Sequence, residues 1–288
     1  LIKVLYEEKA SGRLYTTIDL NIQNISREMR QVLLNGYYEN DISTSAVSFF
    51  LQVYNKLTSH DKRVKLELID YYTSKGKKEI RKIFGSIIKG KELDDSKEDE
   101  RYFDIAKEIL TMLFFNSNAK NRKLTTIDNV IFLEDGTIED IEEVELYTTS
   151  IQDILNTEQR SRFFNTQQVQ DFLVEVETLM ETINSYLYSN CYNIKKRELK
   201  VNGKKLIFKD DMGKLTRYNK AKAIAFFYQS WESSFLISMK NTYVKTTKDK
   251  NYLLLHDGIY TRKAIDKHLL ENSITSSRCD FIINVKID

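Results

Sequence analysis

The chain is poor in the residues from which disulfide frameworks and zinc sites are built. Its 288 residues include two cysteines, three histidines and no proline. Neither Cys191 nor Cys279 belongs to a CxxC pair, which argues against a zinc site, and so few cysteines indicate a reducing, cytoplasmic setting. The lack of proline excludes no function, and we have no physical account of it beyond drift in a composition rich in Asn, Lys and Ile.

Charge and hydropathy also lack extremes. The net charge is +2, with 30% charged, 41% hydrophobic and 11% aromatic residues, which is typical of a globular chain and not of a disordered one. A charge so nearly balanced does not by itself indicate a nucleic-acid binder, so a binding face must come from local clustering. No apolar run approaches the roughly 18–20 residues that span a bilayer, and the first residues lack the apolar core of a signal peptide, so we expect no membrane partner.

The spacing of apolar residues predicts several helices. Apolar side chains recur at helical spacing over residues 25–34, 44–58, 77–91 and 218–243 and over most of 102–190. The charge run 90–101 between two of these segments predicts a solvated loop.

Strands are predicted between the helices, most of them in hairpins. The aromatic segment 36–43 has the character of a short strand, and Asp-Gly and Asn-Gly pairs within 130–138 and 198–208 are typical hairpin turns. Residues 251–261 have the pattern of a strand, a tight turn and a second strand. Because helices and strands mix without strict βαβ alternation, we predict an α+β fold rather than a doubly wound sheet.

Two carboxylates stand where predicted strands end. Asp41 closes the segment GYYEND, and Asp257 follows the apolar run YLLLH. If a fold brings two such side chains together, they can bridge a pair of Mg²⁺ ions about 3.5–4 Å apart, which activate a 3′-hydroxyl and stabilise a leaving pyrophosphate. The alternative is structural, because Asp is common in turns that follow strands and Asp-Gly favours a turn.

The segments around these carboxylates resemble the motifs of A-family DNA polymerases. GRLYTTIDLNIQNI (12–25) is similar to the family signature GRLxxxxPNLQNIP. MRQVLLNGYYENDISTSAVSFFLQVY resembles the first catalytic segment, which has an arginine, an intervening GY and a strand ending in DYSQIE. LLLHDGIYT resembles the second catalytic segment, VHDE, through its His and Asp. The matching residues are Gly12, Arg13, Leu14, Asn21, Gln23, Asn24, Ile25, Arg30, Gly36, Tyr37, Asp41, Ser43, His256 and Asp257.

The three motifs occur in the family's order, which makes the resemblance specific. It is closest to short polymerases of phages and mobile elements, including the polymerase-like primases of cassette elements. It covers 12–91 and 229–261, whereas 92–218 matches no segment of the family and is interpreted as an accessory-protein or template-handling insertion. The resemblance implies a polymerase palm built on an antiparallel sheet, with helical fingers and a mostly helical insertion. The implied parts are 1–70 and 196–288 for the palm, with the catalytic hairpin in the latter, and 71–195 for the fingers helix and the insertion.

The resemblance also implies a fingers helix that holds the incoming triphosphate. In KKEIRKIFGSIIKGK, Lys77 and Arg81 take cationic positions, Gly85 takes that of an aromatic residue and Lys89 that of a tyrosine. Residues four apart share one helical face, so these cations could together hold a triphosphate. The alternative is an ordinary solvated basic face. Because no aromatic residue stands at 85, either Phe84 stacks on the incoming base or base selection is weak.

Further residues are implied to contact the sugar or the nucleic acid. The family has a glutamate five residues after its first catalytic aspartate, which helps to exclude the 2′-hydroxyl, and here that residue is Ala46. A methyl group leaves room, so we expect ribonucleotides to be accepted by shape. The alternatives are a buried polar role for Gln229 and ordinary surface positions for the arginines. The residues implied to position template and primer are Arg13, Asn21, Gln23, Arg30, Gln229 and His256.

The resemblance as a whole implies a template-directed nucleotidyltransferase. Asp41 and Asp257 would hold two Mg²⁺ ions, with Mn²⁺ as the alternative ion. We predict a primase that makes primers on single-stranded DNA for a mobile element or phage. The alternatives are a primer-dependent DNA polymerase, a single-subunit RNA polymerase, or a degenerate polymerase fold that only binds nucleic acid or a replication partner. The predicted partners are single-stranded template and primer, NTP or dNTP, a small accessory protein and a replicative helicase.

Overall fold

The structure is a computed structural model of the chain, which divides into two compact units. Unit 1 comprises Leu1–Leu66 and Leu179–Asp288, and unit 2 comprises Glu67–Thr178. The resemblance implied limits of 71 and 195 for the middle part of the chain. The structure describes residues 6–11, 13–16, 25, 27–42, 45–59, 63–94, 96–115, 123–132, 138–147, 151, 154–210, 212–255, 258–275, 283–284 and 286–287.

The helices form where apolar residues recur at helical spacing. Two helical segments, Tyr72–Gly76 and Leu187–Cys191, are wound as π-helices. None of the helices in the described ranges combines the length and the apolar character needed to cross a bilayer. The α-helices are α1 (Arg27–Leu33), α2 (Ser45–Leu57), α3 (Glu67–Tyr71), α4 (Lys77–Lys89), α5 (Lys97–Phe114), α6 (Thr157–Asn165), α7 (Gln167–Tyr186), α8 (Lys220–Thr247) and α9 (Lys267–Thr275).

The described strands form small antiparallel sheets. They pair in the orders β1–β2, β3–β10–β9, β4–β5 and β6–β7–β8. Together with the helices they confirm the predicted α+β class. The strands are β1 (Tyr6–Glu8), β2 (Leu14–Thr16), β3 (Tyr38–Asp41), β4 (Lys123–Phe132), β5 (Ile138–Tyr147), β6 (Tyr192–Asn193), β7 (Glu198–Val201), β8 (Lys204–Ile207), β9 (Tyr252–Leu255) and β10 (Gly258–Thr261).

The predicted hairpins are found, although one is much longer than expected. Val201 pairs with Lys204 around Asn202 and Gly203, whose φ angles of 50° and 70° are those that a two-residue Asn-Gly turn requires. The hairpin predicted within 130–138 is the end of a ribbon in which β4 and β5 each have ten residues. Its predicted turn at Asp135-Gly136 lies outside the described residues.

The core of unit 1 forms where α2 packs against the long helix α8. Phe49 of α2 lies 5.1 Å from Phe227 and 5.9 Å from Tyr228, measured between ring centroids, in the tilted and edge-on arrangements that aromatic pairs prefer. Trp231 of α8 is only 2% exposed and belongs to the same core. A helix with buried residues around its whole circumference is a core helix, and α8 therefore supports both α2 and β10.

The core of unit 2 is an aromatic cluster contributed by several helices. Phe84 of α4 meets Phe163 of α6 and Phe172 of α7 edge to face, with both centroid distances 5.3 Å. Phe114 of α5 joins Phe172 at 5.9 Å. Phe84 is 3% exposed, so the interpretation in which it stacks on an incoming base is wrong: its ring is used in the core.

The charge run 90–101 is a mostly exposed loop up to Ser96, as its composition predicts, but its last five residues begin α5. Ser96 accepts a hydrogen bond from the backbone N–H of Asp99 and so caps α5, which begins at Lys97. Asp99 is 1% exposed and forms an ion pair with Lys89 of α4. Buried charges must be paired, and the opposite charge of Lys89 meets this requirement for the Asp99 carboxylate. The composition of the segment cannot show such a pair.

Candidate active site

The β3–β10–β9 sheet of unit 1 carries the first predicted catalytic residue. β10 lies in the middle of this sheet, with β3 on one side and β9 on the other. The register places Asp41 opposite Gly258, and across the β9–β10 hairpin Gly258 is also opposite Leu255. His256 and Asp257, between Leu255 and Gly258 in the chain, lie outside the described residues, so their roles stay predictions.

The carboxylate of Asp41 occupies the space that a side chain at position 258 would need. A Cβ atom placed on Gly258 would lie 1.7 Å from Oδ1 of Asp41 and 3.3 Å from the carbonyl oxygen of Asn40. The first distance is far inside van der Waals contact, so a larger residue would displace the carboxylate. The motif that LLLHDGIYT resembles has glutamate at this position, and the departure to glycine therefore fits the observed place of Asp41.

Asn40 fixes the edge of β3 that carries Asp41. Its side chain is 3% exposed, and its amide nitrogen donates to the carbonyl oxygen of Ile259 at 3.3 Å and to Oγ1 of Thr261 at 3.4 Å. Successive strand residues point to opposite faces of a sheet, so the buried side of β3 is tied to β10 while Asp41 lies on the other face. The position of Asp41 thus depends on cross-strand hydrogen bonds as well as on the backbone ladder.

The face of the sheet that carries Asp41 has a second acid and a tyrosine. Glu39, two residues before Asp41, accepts a hydrogen bond from the hydroxyl of Tyr260 on β10. Burial raises the pKa of Tyr260 well above its usual range, and the hydrogen bond to Glu39 and the negative charge of Asp41 raise it further. Tyr260 therefore keeps its proton and remains a donor to Glu39 at physiological pH.

Arg30 of α1 brings positive charge to the same region. Its guanidinium is near enough to Tyr260 to lower the pKa of that tyrosine against the effects of the acids. Its Nε is buried and has no hydrogen-bond partner among the described residues. A buried donor of this kind gains free energy when an acceptor binds it, which suits the predicted contact with nucleic acid.

The helices behind the sheet carry two other predicted residues. Ala46, the second residue of α2, is half-buried, whereas its neighbour Val47 is 7% exposed and belongs to the core. Ala46 is thus not fully buried, and its role in accepting ribonucleotides stays a prediction. Gln229 on α8 is also half-buried, between the core residues Tyr228 and Ser230, so it keeps partial access to solvent.

Arg13 forms an ion pair with the buried Glu232 of α8. The Arg13 Nε lies 3.0 Å from Oε2 of Glu232, and their side chains are 21% and 2% exposed. Beside it, the hydroxyl of Ser233 donates to the carbonyl oxygen of Ser11 at 3.4 Å. These contacts attach the β1–β2 connection to α8, so Arg13 has a structural role, and its predicted contact with nucleic acid stays a prediction.

Replacing Arg13 by Met is expected to reduce the free energy of unfolding by about 2–3 kcal/mol, because the buried carboxylate of Glu232 loses an opposing charge. Urea denaturation measures the change. The double variant Arg13→Met/Glu232→Gln should recover part of it, since the buried group is then neutral. Lys9→Met, in an exposed pair with Glu7, is the matched control and should cost at most about 0.5 kcal/mol. Equal losses in Arg13→Met and Lys9→Met would contradict the structural role of Arg13.

The predicted triphosphate face of α4 packs against α5. A Cβ atom on Gly85 would lie 2.7 Å from Cδ1 of Leu93 and 3.1 Å from the carbonyl oxygen of Tyr102, so the glycine is explained by the close approach of the following segment. Lys89 is 8% exposed and paired with Asp99. The charge of Lys89 is thus paired within unit 2, on a face that α5 covers, and its role in nucleotide binding stays a prediction.

Lys77 and Arg81 lie on the same helix face, nearer its beginning. Arg81 donates to the hydroxyl of Tyr72 at 3.3 Å, and its guanidinium carbon lies 5.9 Å from the ring centre of Phe103 on α5. Its Nε is buried and has no hydrogen-bond partner among the described residues. Lys77 is half-buried. Both residues belong to unit 2, and their role in nucleotide binding stays a prediction.

The remaining predicted site residues, Asn21 and Gln23, lie outside the described residues together with His256 and Asp257. Within the part of the chain that the structure describes, no group of three or more His, Cys, Asp and Glu side chains could hold a metal ion. Asp41 is thus the described member of the predicted metal-binding pair.

Sequence reasoning missed three residues that shape this site. Glu39 shares a strand face with Asp41, and the period of two along a strand could have identified it. Gly258 follows Asp257 directly, and its departure from the motif was a signal. Tyr260 gave no signal, because its proximity to Glu39 comes from strand pairing across 221 positions of the chain.

No model of a known protein family matches the chain, and no curated protein matches it. The resemblance to A-family polymerases therefore rests on the motif residues given in the sequence analysis.

Proposed function

We propose that the chain is a template-directed nucleotidyltransferase of the A-family polymerase type, acting as a primase that accepts ribonucleotides. The observation that carries this proposal is the register of the β3–β10–β9 sheet, which pairs Asp41 with Gly258. Gly258 is bonded to Asp257, the second predicted catalytic residue. The two acids that the resemblance selects are distant in the chain, and the sheet pairs one of them with the neighbour of the other.

Chain geometry limits how far apart the two acids can be. Residues paired across antiparallel strands have Cα atoms about 4.5–5.5 Å apart, and bonded neighbours have Cα atoms about 3.8 Å apart. Asp257 is thus bonded to a residue whose Cα atom is about 4.5–5.5 Å from that of Asp41. Carboxylates on such neighbours can reach toward a shared pair of ions, which are about 3.5–4 Å apart in two-metal sites.

The donor chemistry fits Mg²⁺. Asp41 and Glu39 contribute carboxylate oxygens on one strand face, and Mg²⁺ prefers oxygen ligands, of which the protein need supply only a few. Asp41 and Asp257 would hold the ions. When bound, they would activate the attacking 3′-hydroxyl and stabilise the charge of the leaving pyrophosphate.

The surrounding residues have supporting tasks in this proposal. Asn40 holds β3 against β10 and so fixes the place of the Asp41 carboxylate. Tyr260 donates to Glu39 and orients it beside Asp41. Arg30 offers a buried donor with positive charge to a phosphate of the template or primer. The half-buried Ala46 leaves space where a glutamate would obstruct the 2′-hydroxyl.

A second candidate function is a polymerase-like fold that binds nucleic acid without chemistry. The covered face of α4 favours it, because Gly85 and Lys89, at positions where the family holds nucleotide, are used in packing. Retention of Asp41 and Asp257 favours an enzyme, since a binding module needs neither acid.

Extension assays on single-stranded templates with Mg²⁺ test the proposal. Reactions with and without a primer, supplied with labelled rNTPs or dNTPs, should yield short unprimed products from rNTPs. Asp41→Asn and Asp257→Asn should each lower incorporation by about 10²–10³-fold, because each removes a group that stabilises developing charge. Glu7→Gln, which neutralises an exposed acid of unit 1, is the matched control and should not change the rate.

The outcomes separate the alternatives. Primer-dependent extension restricted to dNTPs would retain the active site and contradict the ribonucleotide claim. Template binding without incorporation under every condition, with or without added accessory protein, would favour the binding module. Full activity in Asp41→Asn would contradict the proposed site itself.

A further inference from the structure

Unit 1 contains a cavity of about 480 Å³ whose described lining residues lie outside the β3–β10–β9 sheet. It is formed by the end of α7, the π-helical segment that follows, β6 and its turn, and the residues just before and at the start of α8. None of the described lining residues belongs to β3, β9, β10 or α2. Its size is in the range of pockets that hold small organic molecules, which is about 300–1,000 Å³.

One wall of the cavity is a cluster of tyrosines. Tyr192 and Tyr218 have ring centroids 5.0 Å apart, and Tyr188 lies 5.3 Å from Tyr218 and 5.5 Å from Tyr192. Phe208 packs behind the cluster, 5.3 Å from Tyr218, and is 1% exposed. Rings fixed in this way offer stacking surfaces for a planar ligand at little cost in side-chain entropy.

Two buried polar atoms of residues that line the cavity have no hydrogen-bond partner among the described residues. They are the amide nitrogen of Asn184, whose side chain is 2% exposed, and the hydroxyl of Tyr192. The amide oxygen of Asn184 accepts from the hydroxyl of Tyr218 at 3.4 Å, so within this side chain it is the nitrogen that lacks a described partner. Buried donors left in this state favour a ligand that brings hydrogen-bonding edges.

The charged groups of the cavity favour an anion. Glu181 is the one acid among the described lining residues, and it is paired with Lys220 at 2.5 Å. Arg197 and Arg217 have no ion pair with a described residue. Arg197 has a φ angle of 50°, in the left-handed region that non-glycine residues seldom adopt, so the turn before β7 holds this arginine in an uncommon conformation.

Tyr218 contributes a donor that does not titrate near neutral pH. Burial raises its pKa well above the usual range, and the nearby Cys191 and Tyr192 raise it further. The hydroxyl therefore stays protonated and continues to orient Asn184.

These features exclude other classes of ligand. A divalent cation would meet two arginines and an acid that is already paired. A purely apolar molecule would leave the Asn184 nitrogen and the Tyr192 hydroxyl unsatisfied. An acidic peptide would use the arginines and leave the tyrosine wall without a planar partner.

We propose that this cavity binds a nucleotide, with the base on the tyrosine wall, its edge hydrogen-bonded to Asn184 and Tyr192, and its phosphate held by Arg197 and Arg217. Arginine guanidinium groups bind phosphate with two parallel hydrogen bonds. The nucleotide is either a free one or one residue of a single strand. The site goes beyond the proposed polymerase chemistry, because its lining residues are separate from the sheet that carries Asp41.

Binding measurements on the full chain in EDTA test this site without catalysis. Calorimetric titrations use AMP, ATP and a single-stranded pentanucleotide, in the Asp41→Asn background. We expect at least one of these probes to bind, and Tyr188→Ala and Arg217→Ala each to weaken its binding about tenfold. Lys209→Ala removes an exposed cation of unit 1 that does not line the cavity, and it should leave binding unchanged.

The choice of probe identifies the source of the nucleotide. Binding of AMP or ATP with this mutational pattern indicates a free nucleotide, and binding of the pentanucleotide alone indicates a strand. Tyr192→Phe retains the ring, so a weaker affinity in this variant assigns the loss to the hydroxyl rather than to misfolding. Affinities unchanged by Tyr188→Ala and Arg217→Ala, or no binding of any probe, would overturn the proposal. If a probe binds this cavity but the chain with its native Asp41 incorporates no nucleotide, the proposed binding site is retained and the polymerase proposal is rejected.

Discussion

Gly258→Ala is expected to lower nucleotide incorporation about 100-fold while the chain remains folded. The new Cβ would lie 1.7 Å from Oδ1 of Asp41, so the carboxylate must swing away from the middle strand. A carboxylate at the end of a side chain can move with little effect on folding, but a displacement of about 1 Å at a reacting centre can cost about 100-fold in rate. Single-turnover extension of a template with saturating nucleotide measures the effect.

The control for this experiment is another glycine of unit 1. A Cβ atom on Gly213 would meet nothing within 4 Å, although its φ of 79° makes alanine unfavourable there. Gly213→Ala should therefore cost about 1–2 kcal/mol of stability and leave the rate unchanged. If Gly258→Ala retained full activity, the carboxylate of Asp41 would not need its observed place, and the metal-binding proposal would lose its main support.

Asp99→Ala is expected to destabilise unit 2 by about 3–5 kcal/mol. The substitution leaves the buried ammonium of Lys89 without its opposing charge, and breaking a buried pair from one side has a cost of this size. It also removes the acceptor of the backbone N–H of Asp94, at 2.6 Å, within the segment that joins α4 to α5. Urea denaturation followed by far-ultraviolet circular dichroism measures the loss.

Two further variants provide controls. One compares the buried Lys89–Asp99 pair with an exposed ion pair, and the other tests whether Lys89 binds nucleotide. Glu158→Ala breaks an i,i+4 pair with Arg162 in which the acid is 82% exposed, and it should cost at most about 0.5 kcal/mol. The double variant Lys89→Met/Asp99→Leu should recover most of the stability, because two apolar groups replace the pair. A raised KM for nucleotide in that double variant, at unchanged stability, would support the predicted nucleotide-binding role of Lys89.

The elements that sequence reasoning located are those with local signals. Helix α2 is predicted by the spacing of its apolar residues. The turn at Asn202 and Gly203 is predicted by residue types that tolerate positive φ. Asp41 was selected because a strand ends there and a motif surrounds it. Each of these signals lies within a few residues of the feature that it predicts.

The features that sequence reasoning missed depend on contacts between distant segments. The α4 face that includes Lys89 has the pattern of a basic solvated surface, and only the packing of α5 turns it into an interface. The cavity beside Asn184 gave no signal either, because Tyr218 comes from a segment distant in the chain from Tyr188 and Tyr192. Unpaired buried donors exist only once a fold has enclosed them.

The division of unit 1 into two stretches of chain has a consequence for protein synthesis. Unit 2 is continuous, Glu67–Thr178, so all its contacts can form as soon as this stretch has left the ribosome. The pairing of β3 with β10 joins residues such as Asn40 and Ile259, which are 219 positions apart. Since translation proceeds at about 5–20 residues per second, β10 is synthesised on the order of ten to forty seconds after β3. A nascent chain therefore lacks the sheet that carries Asp41 until unit 2 and then β10 have been synthesised.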